Sequence, residues 1–272
     1  MTQEREYVLG THDEEVERLG VQHRLWRARM LDAWRRAGIR AGQTVLDIGA
    51  GPGYAALDLA EIVGSSGRVV ALERSRRFLA VLAARARARG LTQLEGVEAD
   101  VVSSDFGVTG ADAAWCRWVL SFVNDPRAVV RRIRAALRPG GIAVFHEYVD
   151  YGGWRLLPKL PALELFVARV MDSWRADGGE PDVGRDLPTY LIEQGFALAS
   201  TQLHTEAVAP DDPLWRWPAV FVETGWSRLV ELGRMTQAEA DELLTAFAAV
   251  ARLPHARMIL PSVLEVVARA PA

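Results

Sequence analysis

Apolar residues along the chain keep two different periods, and the places where the period switches mark the elements. Near the start, Leu19, Trp26, Met30, Ala33 and Ala37 recur close to a helical period, and Gly38 supplies the stop. Thr11 and Glu14 stand at capping-box spacing ahead of that stripe, with Asp13 as an alternative N-cap. Strand and helix patterns then alternate. Residues 44–48 read as a buried strand, 54–63 as a helix and 68–72 as a second strand. Ser75 caps a helix carrying Phe78, Leu79, Leu82 and Ala86, which Gly90 ends. A weaker strand covers 94–99, and a fourth covers 111–116. Asp125-Pro126 is an N-cap followed by a proline suited to the first helical position. The helix through Val129, Val130, Ile133 and Leu137 stops at Pro139-Gly140-Gly141, and 141–148 is the fifth strand. Such alternation builds parallel βαβ units, so the expected fold is α/β, a doubly wound sheet.

After residue 148 the rhythm changes. Residues 158–176 read as a helix, 177–186 as a loop rich in Gly, Pro and Asp, and 187–194 as a short helix ended by Gly195. Residues 196–208 are strand-like, and more helices follow over 211–253, among them 236–250 with Thr236 and Glu239 at capping-box spacing. In 259–268, Leu264, Val266 and Ala268 alternate with Glu265 and Val267 as a last strand. The expected division is a helical segment over 1–41 that covers the site and a cofactor-binding core over 42–149. A lid insertion over 150–186, core again over 187–208, a helical lid insertion over 209–258 and a final core strand over 259–272 complete it. The sheet then has seven strands, mostly parallel, with a terminal antiparallel one.

Composition narrows the function classes. Half of the 272 residues are hydrophobic and a quarter charged, the balance of an ordinary globular chain. With 32 Lys+Arg against 35 Asp+Glu the formal charge is −3, which gives no electrostatic footprint for nucleic acid. Cys116 is the only cysteine, so no intrachain disulfide forms, and no metal is expected. Residues 1–10 carry Glu4, Arg5 and Glu6 without the apolar stretch of a signal peptide, and no run reaches the roughly 20 apolar residues of a membrane span. A cytoplasmic protein, monomeric or homodimeric, with a small-molecule partner is the expectation.

The most informative stretch is Val45-Leu46-Asp47-Ile48-Gly49-Ala50-Gly51-Pro52-Gly53-Tyr54. A strand runs into three glycines and a helix starts directly after them, a geometry that lets backbone approach a ligand closely. Glu73 ends the second strand, where an acid can accept from two ribose hydroxyls, and Asp100 follows the third, where an acid can accept from an adenine amine. A dinucleotide loop spaces its glycines G-x-G-x-x-G to seat a pyrophosphate, whereas here they fall at every second residue. Asp47-x-Gly49-x-Gly51-x-Gly53 resembles motif I of class I methyltransferases, and Leu137-Arg138-Pro139-Gly140-Gly141 resembles the Pro-Gly-Gly segment before their fifth strand. The resemblance covers 42–148 and implies S-adenosyl-L-methionine as cofactor, with S-adenosyl-L-homocysteine as product. It implies that Glu73, with Arg74 beside it, meets the ribose, and that Asp100 and Val101 cradle the adenine. The loop Gly49, Gly51 and Gly53 would approach the methionine part, with Asp47 ordering the loop or meeting the ammonium.

Ligands of open α/β sheets sit beyond the carboxyl ends of the strands. That places Arg117 and Trp118 after strand four and His146, Glu147 and Tyr148 after strand five near the transferable methyl. Arg117 is either a cofactor contact or part of a structural ion pair; Cys116 reads as an inert buried residue and His23 as structural. His146 is the first choice of general base and Glu147 the second, with Trp118, Tyr148, Tyr151 and Trp154 as pocket wall or substrate-orienting groups. The insertions hold five of the nine tryptophans (Trp154, Trp174, Trp215, Trp217, Trp226) with Tyr151, Phe166 and Phe221, which suits an apolar or aromatic acceptor. The class implied is small-molecule methylation, similar to quinone and secondary-metabolite methyltransferases, on O, N or C. The alternatives are a cofactor-binding protein that catalyses a cyclisation and a cofactor-binding regulatory module.

Overall fold

The computed structural model describes residues 13–272; Thr11 and residues 1–10, on which the first capping and the leader expectations rest, lie outside the described residues. Helix α1 (Asp13–Ala37) has Asp13, Glu14 and Glu15 in its first turn and Arg35 and Arg36 in its last, which complements the helix dipole at both ends. Asp13 is thus inside the helix rather than capping it. Trp26, Met30, Ala33 and Trp34 form its buried side.

Then follow β1 (Thr44–Ile48), α2 (Tyr54–Val63), β2 (Arg68–Glu73), α3 (Arg76–Ala88), β3 (Leu94–Glu98), β4 (Ala111–Arg117), α4 (Pro126–Ala136) and β5 (Leu137–Asp150). The second half runs β6 (Arg155–Leu157), α5 (Pro161–Ala176), α6 (Leu187–Glu193), β7 (Ala197–His204), β8 (Ala207–Val208), α7 (Arg216–Glu231), α8 (Gln237–Val250), β9 (Arg257–Ile259) and β10 (Ser262–Arg269).

Seven strands form one sheet in the order β3-β2-β1-β4-β5-β10-β7. β1 lies parallel to β2 and β4, while β10 runs antiparallel between β5 and β7. The chain reverses its direction of growth between β1 and β4, so a crevice opens beyond the carboxyl ends of those two strands. Strand alternation splits the sheet residues between two cores. Leu46, Ile48, Cys116 and Phe145 pack with α4 and α6 through Val129, Ile133 and Leu187. Val45, Val69, Trp115 and Val144 pack with α1, α2 and α3 through Trp34, Leu59 and Leu82.

The segments after β5 make a third core around Trp154, Phe166, Trp217, Leu243 and Phe247, which also takes in Trp26 of α1, Trp118 and Tyr148. They are stitched by a small sheet, β6-β9-β8, which the residue pattern does not announce because strands of two or three residues carry no readable period. Among the described residues no helix is long and apolar enough to cross a membrane. At the start of α4, the Asp125 side chain accepts from the Ala128 N–H at 2.8 Å with Pro126 in the first turn. Asp125→Ala is expected to cost about 1 kcal/mol, measured as a lower urea midpoint with an unchanged slope.

Candidate active site

The loop after β1 is shaped by what its glycines exclude. Gly49 has φ +65°, and a Cβ there would stand 2.5 Å from Val119 Cγ2; Gly53 has φ +86°, with Leu82 Cγ only 2.6 Å from the same added atom. Glu73, at the end of β2, organises this loop. Its Oε2 accepts the Gly51 N–H at 2.9 Å and its Oε1 accepts the Ser75 N–H at 2.8 Å. Burial raises its carboxyl, and these backbone donors pull the other way. A carboxylate oxygen has lone pairs left after one bond, so Glu73 retains capacity for two hydroxyls.

A cavity of about 700 Å³ opens over the loop. Its polar half is lined by Asp47, Gly49, Gly51, Glu73, Arg74, Asp100, Val101 and Arg117. Asp100 Oδ1 accepts the N–H groups of Val102 and Ser103, closing a turn that presents residues 100–103 to the cavity. Asp47 is buried, its Oδ2 has no hydrogen-bond partner, and burial pushes its carboxyl up to about 7 against the pull of Arg117. Arg117 has no carboxylate at ion-pair distance among the described residues. Its guanidinium reaches Met30 Sδ at 3.7 Å and His23 Nδ1 at 3.4 Å, and stands 5.0 Å over the Trp118 ring. Burial brings it down to about 10. A buried acid and a buried base thus line one cavity, and neither is spent on an ion pair.

The other half is aromatic. Trp118, directly after β4, has φ +50°, a left-handed backbone that a tryptophan rarely adopts, and its Nε1 is buried without a partner. Its N–H donates to His146 O at 2.9 Å. The Trp118 ring stacks on Tyr148 (5.5 Å, 18°) and on Trp217 of α7 (5.6 Å, 21°). Tyr148 and Trp217 are themselves within 5° of parallel. Three nearly parallel rings from β4, β5 and an insertion make a wall for a flat molecule, which Tyr151, Trp154, Trp174 and Phe221 extend.

Comparison with known proteins assigns the part that carries the loop. Residues 45–141 match a family described as a methyltransferase domain. That segment is similar to a methyltransferase domain. Its relatives include the 2-phytyl-1,4-naphtoquinone methyltransferase of Synechococcus elongatus, 33% identical over 154 residues that make up 56% of this chain and 61% of that protein. The first curated relatives it matches are spanned to between 54% and 61% of their length. Among solved structures, the fold is similar to phosphoethanolamine N-methyltransferase 2 of Haemonchus contortus in complex with S-adenosyl-L-methionine, with TM-score 0.56, 18% identity and coverage of 90% of this chain and 53% of that one. It is also similar to the [4+2]-cyclase SpnF, with TM-score 0.57, 21% identity and coverage of 90% and 81%.

The fold brings most of the sequence-derived positions to the cavity: Asp47, Gly49, Gly51, Glu73, Arg74, Asp100, Val101 and Arg117 in one half, Trp118, Tyr148, Tyr151 and Trp154 in the other. Gly53 is not among the lining residues; it sits at the start of α2, packed against α3. The expectation that His146 and Glu147 face the methyl is not met, because neither lines the cavity. The fifth strand runs on to Asp150 and pairs with β10 as far as Ser262, so both residues lie inside the sheet rather than at its end. His146 is fully enclosed, with Nε2 3.0 Å from Glu265 Oε2, and burial brings it down to about 4. Glu147 Oε1 accepts the N–H groups of Val119 and Leu120, both at 2.9 Å, and Oε2 accepts the Ser121 hydroxyl at 3.2 Å. Of the aromatic residues expected in the insertions, Trp215, Trp226 and Phe166 do not reach the cavity either.

Sequence reasoning missed Arg18, Phe122 and Arg228, which do line it. Arg18 is buried on α1 with Glu15 at 2.6 Å and Gln22 at 2.9 Å, and the signal lay in that i, i+3, i+4 polar spacing within an apolar stripe.

Burial pushes the Glu147 carboxyl up to about 7. A raised folded value favours the fold below the unfolded carboxyl range, and that contribution is lost as pH rises through about 7. Glu147→Gln keeps an acceptor for the two N–H groups without the charge, so its unfolding free energy relative to wild type should improve from pH 5 to pH 8. Glu147→Ala strands buried donors and should cost about 3 kcal/mol across that range. Urea titrations at both pH values give the comparison.

Proposed function

We propose that the protein transfers a methyl group from S-adenosyl-L-methionine to a small apolar or aromatic molecule. The observation that carries this is the division of one cavity into a charged half at the strand ends and an aromatic half under the insertions. The cofactor supplies the chemistry, a methyl on a sulfonium that leaves as a neutral thioether. The residues fit such a ligand. Asp47, with its unpartnered oxygen, would take an ammonium, Arg117 a carboxylate, Glu73 the ribose hydroxyls, and the 100–103 turn the adenine edge. Trp118, Tyr148 and Trp217 would then orient a planar acceptor by stacking and exclude water from it. Burial raises the Tyr148 phenol, so it stays protonated and acts as a hydrogen-bond donor, not as a base. The names of the quinone methyltransferase relatives support an aromatic acceptor.

A cofactor-bound cyclisation is the competing reading, supported by the shared fold with a [4+2]-cyclase. Mass spectrometry separates the two. Incubation with cofactor and a panel of phenols, quinols and amines should yield a product heavier by one methyl and an equal amount of S-adenosyl-L-homocysteine; an isomerised product without homocysteine formation would favour cyclisation. In a thermal-shift assay, S-adenosyl-L-homocysteine at 100 times its Kd should stabilise the fold by about 2.7 kcal/mol, and NAD should not.

Two variants test the halves separately. Because Asp47 ionises near pH 7 and an ammonium favours its charged form, homocysteine-product affinity should rise between pH 6 and 7.5, below the roughly 7.7–8.0 range of an α-amine. Asp47→Asn should weaken binding and flatten that dependence in isothermal titration. Trp217→Ala should raise acceptor KM by about 2- to 10-fold, from a stacking contribution of about 0.5–1.5 kcal/mol, and leave cofactor affinity unchanged.

A further inference from the structure

Behind the aromatic wall, three neighbouring strands deliver three ligand-type side chains to one point. β5 and β10 pair His146 with Glu265, and β10 and β7 pair Val263 with His204, so the three residues stand on the same face of the sheet. His146 Nε2 is 3.0 Å and His204 Nε2 3.2 Å from the same oxygen, Glu265 Oε2. The donor atoms all lie within 4.8 Å of one another. His146 and Glu265 are fully buried, while the His204 side chain keeps 15% exposure on the edge strand. Trp26 of α1 presses edge-on against both imidazoles, at 5.9 and 5.7 Å.

We propose that His146, His204 and Glu265 bind a single divalent transition-metal ion, and that zinc is the ion the donor set fits best. Two imidazoles and one carboxylate are a standard zinc set, and carbonyl- or water-rich magnesium sites look different. Tetrahedral ligands bonded at about 2.0–2.1 Å stand about 3.3 Å from one another, close to the two spacings found here. Glu265 has one oxygen for the ion, because Arg36 Nη2 holds Oε1 at 2.6 Å. That contact orients the carboxylate as an outer partner of a ligand does. Arg36 is itself paired with Asp32 at 2.8 Å, which offsets its charge towards a neighbouring cation. The exposed side of His204 gives the ion its route in and water its coordination position.

The consequence is structural. β7 is the outermost strand of the large sheet and its side chains are largely exposed, so few contacts hold it besides its pairing with β10. An ion at this point would clamp β7 to β5 and, through Glu265 and Arg36, to α1. None of the three residues lines the cavity, so the ion would take no part in methyl transfer.

The test titrates zinc chloride into the metal-stripped full chain by calorimetry. One zinc per chain is expected. His204→Ala, on the edge strand, and the near-isosteric Glu265→Gln should each weaken it by about 100-fold or more, while S-adenosyl-L-homocysteine affinity stays unchanged and reports an intact fold. Cobalt should give the visible absorption of a tetrahedral site in the wild type and lose it in both variants. Absence of stoichiometric zinc binding would overturn the proposal and leave a hydrogen-bonded triad. Zinc binding of equal strength in wild type and both variants would overturn it too, by placing the ion elsewhere.

Discussion

The turn after β4 is held by a carboxylate buried in the sheet. Glu147 reaches across from β5 and accepts from Val119, Leu120 and Ser121, while the Trp118 N–H is taken by the carbonyl of His146. These bonds satisfy backbone donors that would otherwise be stranded, and they fix the backbone in a conformation that a tryptophan avoids. Two consequences follow from the one restraint. Val119 is pressed against Gly49, which leaves the glycine loop a single path. The Trp118 ring is turned towards Tyr148 and Trp217, which starts the aromatic wall. The two halves of the cavity are therefore positioned relative to each other by β5 even though neither His146 nor Glu147 enters it.

The charged half is costly by itself. Asp47 and Arg117 stand at the ends of adjacent paired strands, both buried, and burial drives both towards their neutral forms. A direct ion pair would have offset that cost and closed the site; instead the charges stay apart. A ligand carrying an ammonium and a carboxylate returns to each side chain the partner it lacks. Its affinity then comes from charges the fold has already ordered and desolvated.

The core was legible because its signals are local. The strand running into Gly49, the acid that ends β2 and the Pro-Gly-Gly early in β5 are each read within a short window of their own, and every strand of the large sheet has at least five residues. The active-site reading failed at His146 and Glu147 for a non-local reason. Where β5 stops depends on β10, more than a hundred residues later, whose pairing carries the strand to Asp150. A polar pair read as a strand end is in fact covered on both sides by neighbouring strands. The His146, His204 and Glu265 cluster was invisible for the same cause, since its members are separated by 58 and 61 positions and meet only through strand order. Arg18 escaped because its one signal, the spacing to Glu15 and Gln22, is equally that of an exposed helix face.

The residues that would choose the acceptor lie mostly outside the segment that carries the family likeness. Trp118 is within 45–141, but Tyr148, Tyr151, Trp154, Trp174, Trp217 and Phe221 all follow it. Five of these fall within 150–186 and 209–258, the stretches expected as insertions. A likeness confined to the core thus bears on the proposed cofactor far more than on any acceptor. The wall itself narrows the choice. Three near-parallel rings favour a planar face. On the proposed function, the wall would favour a planar acceptor, and most of its side chains lie outside the segment with the family likeness.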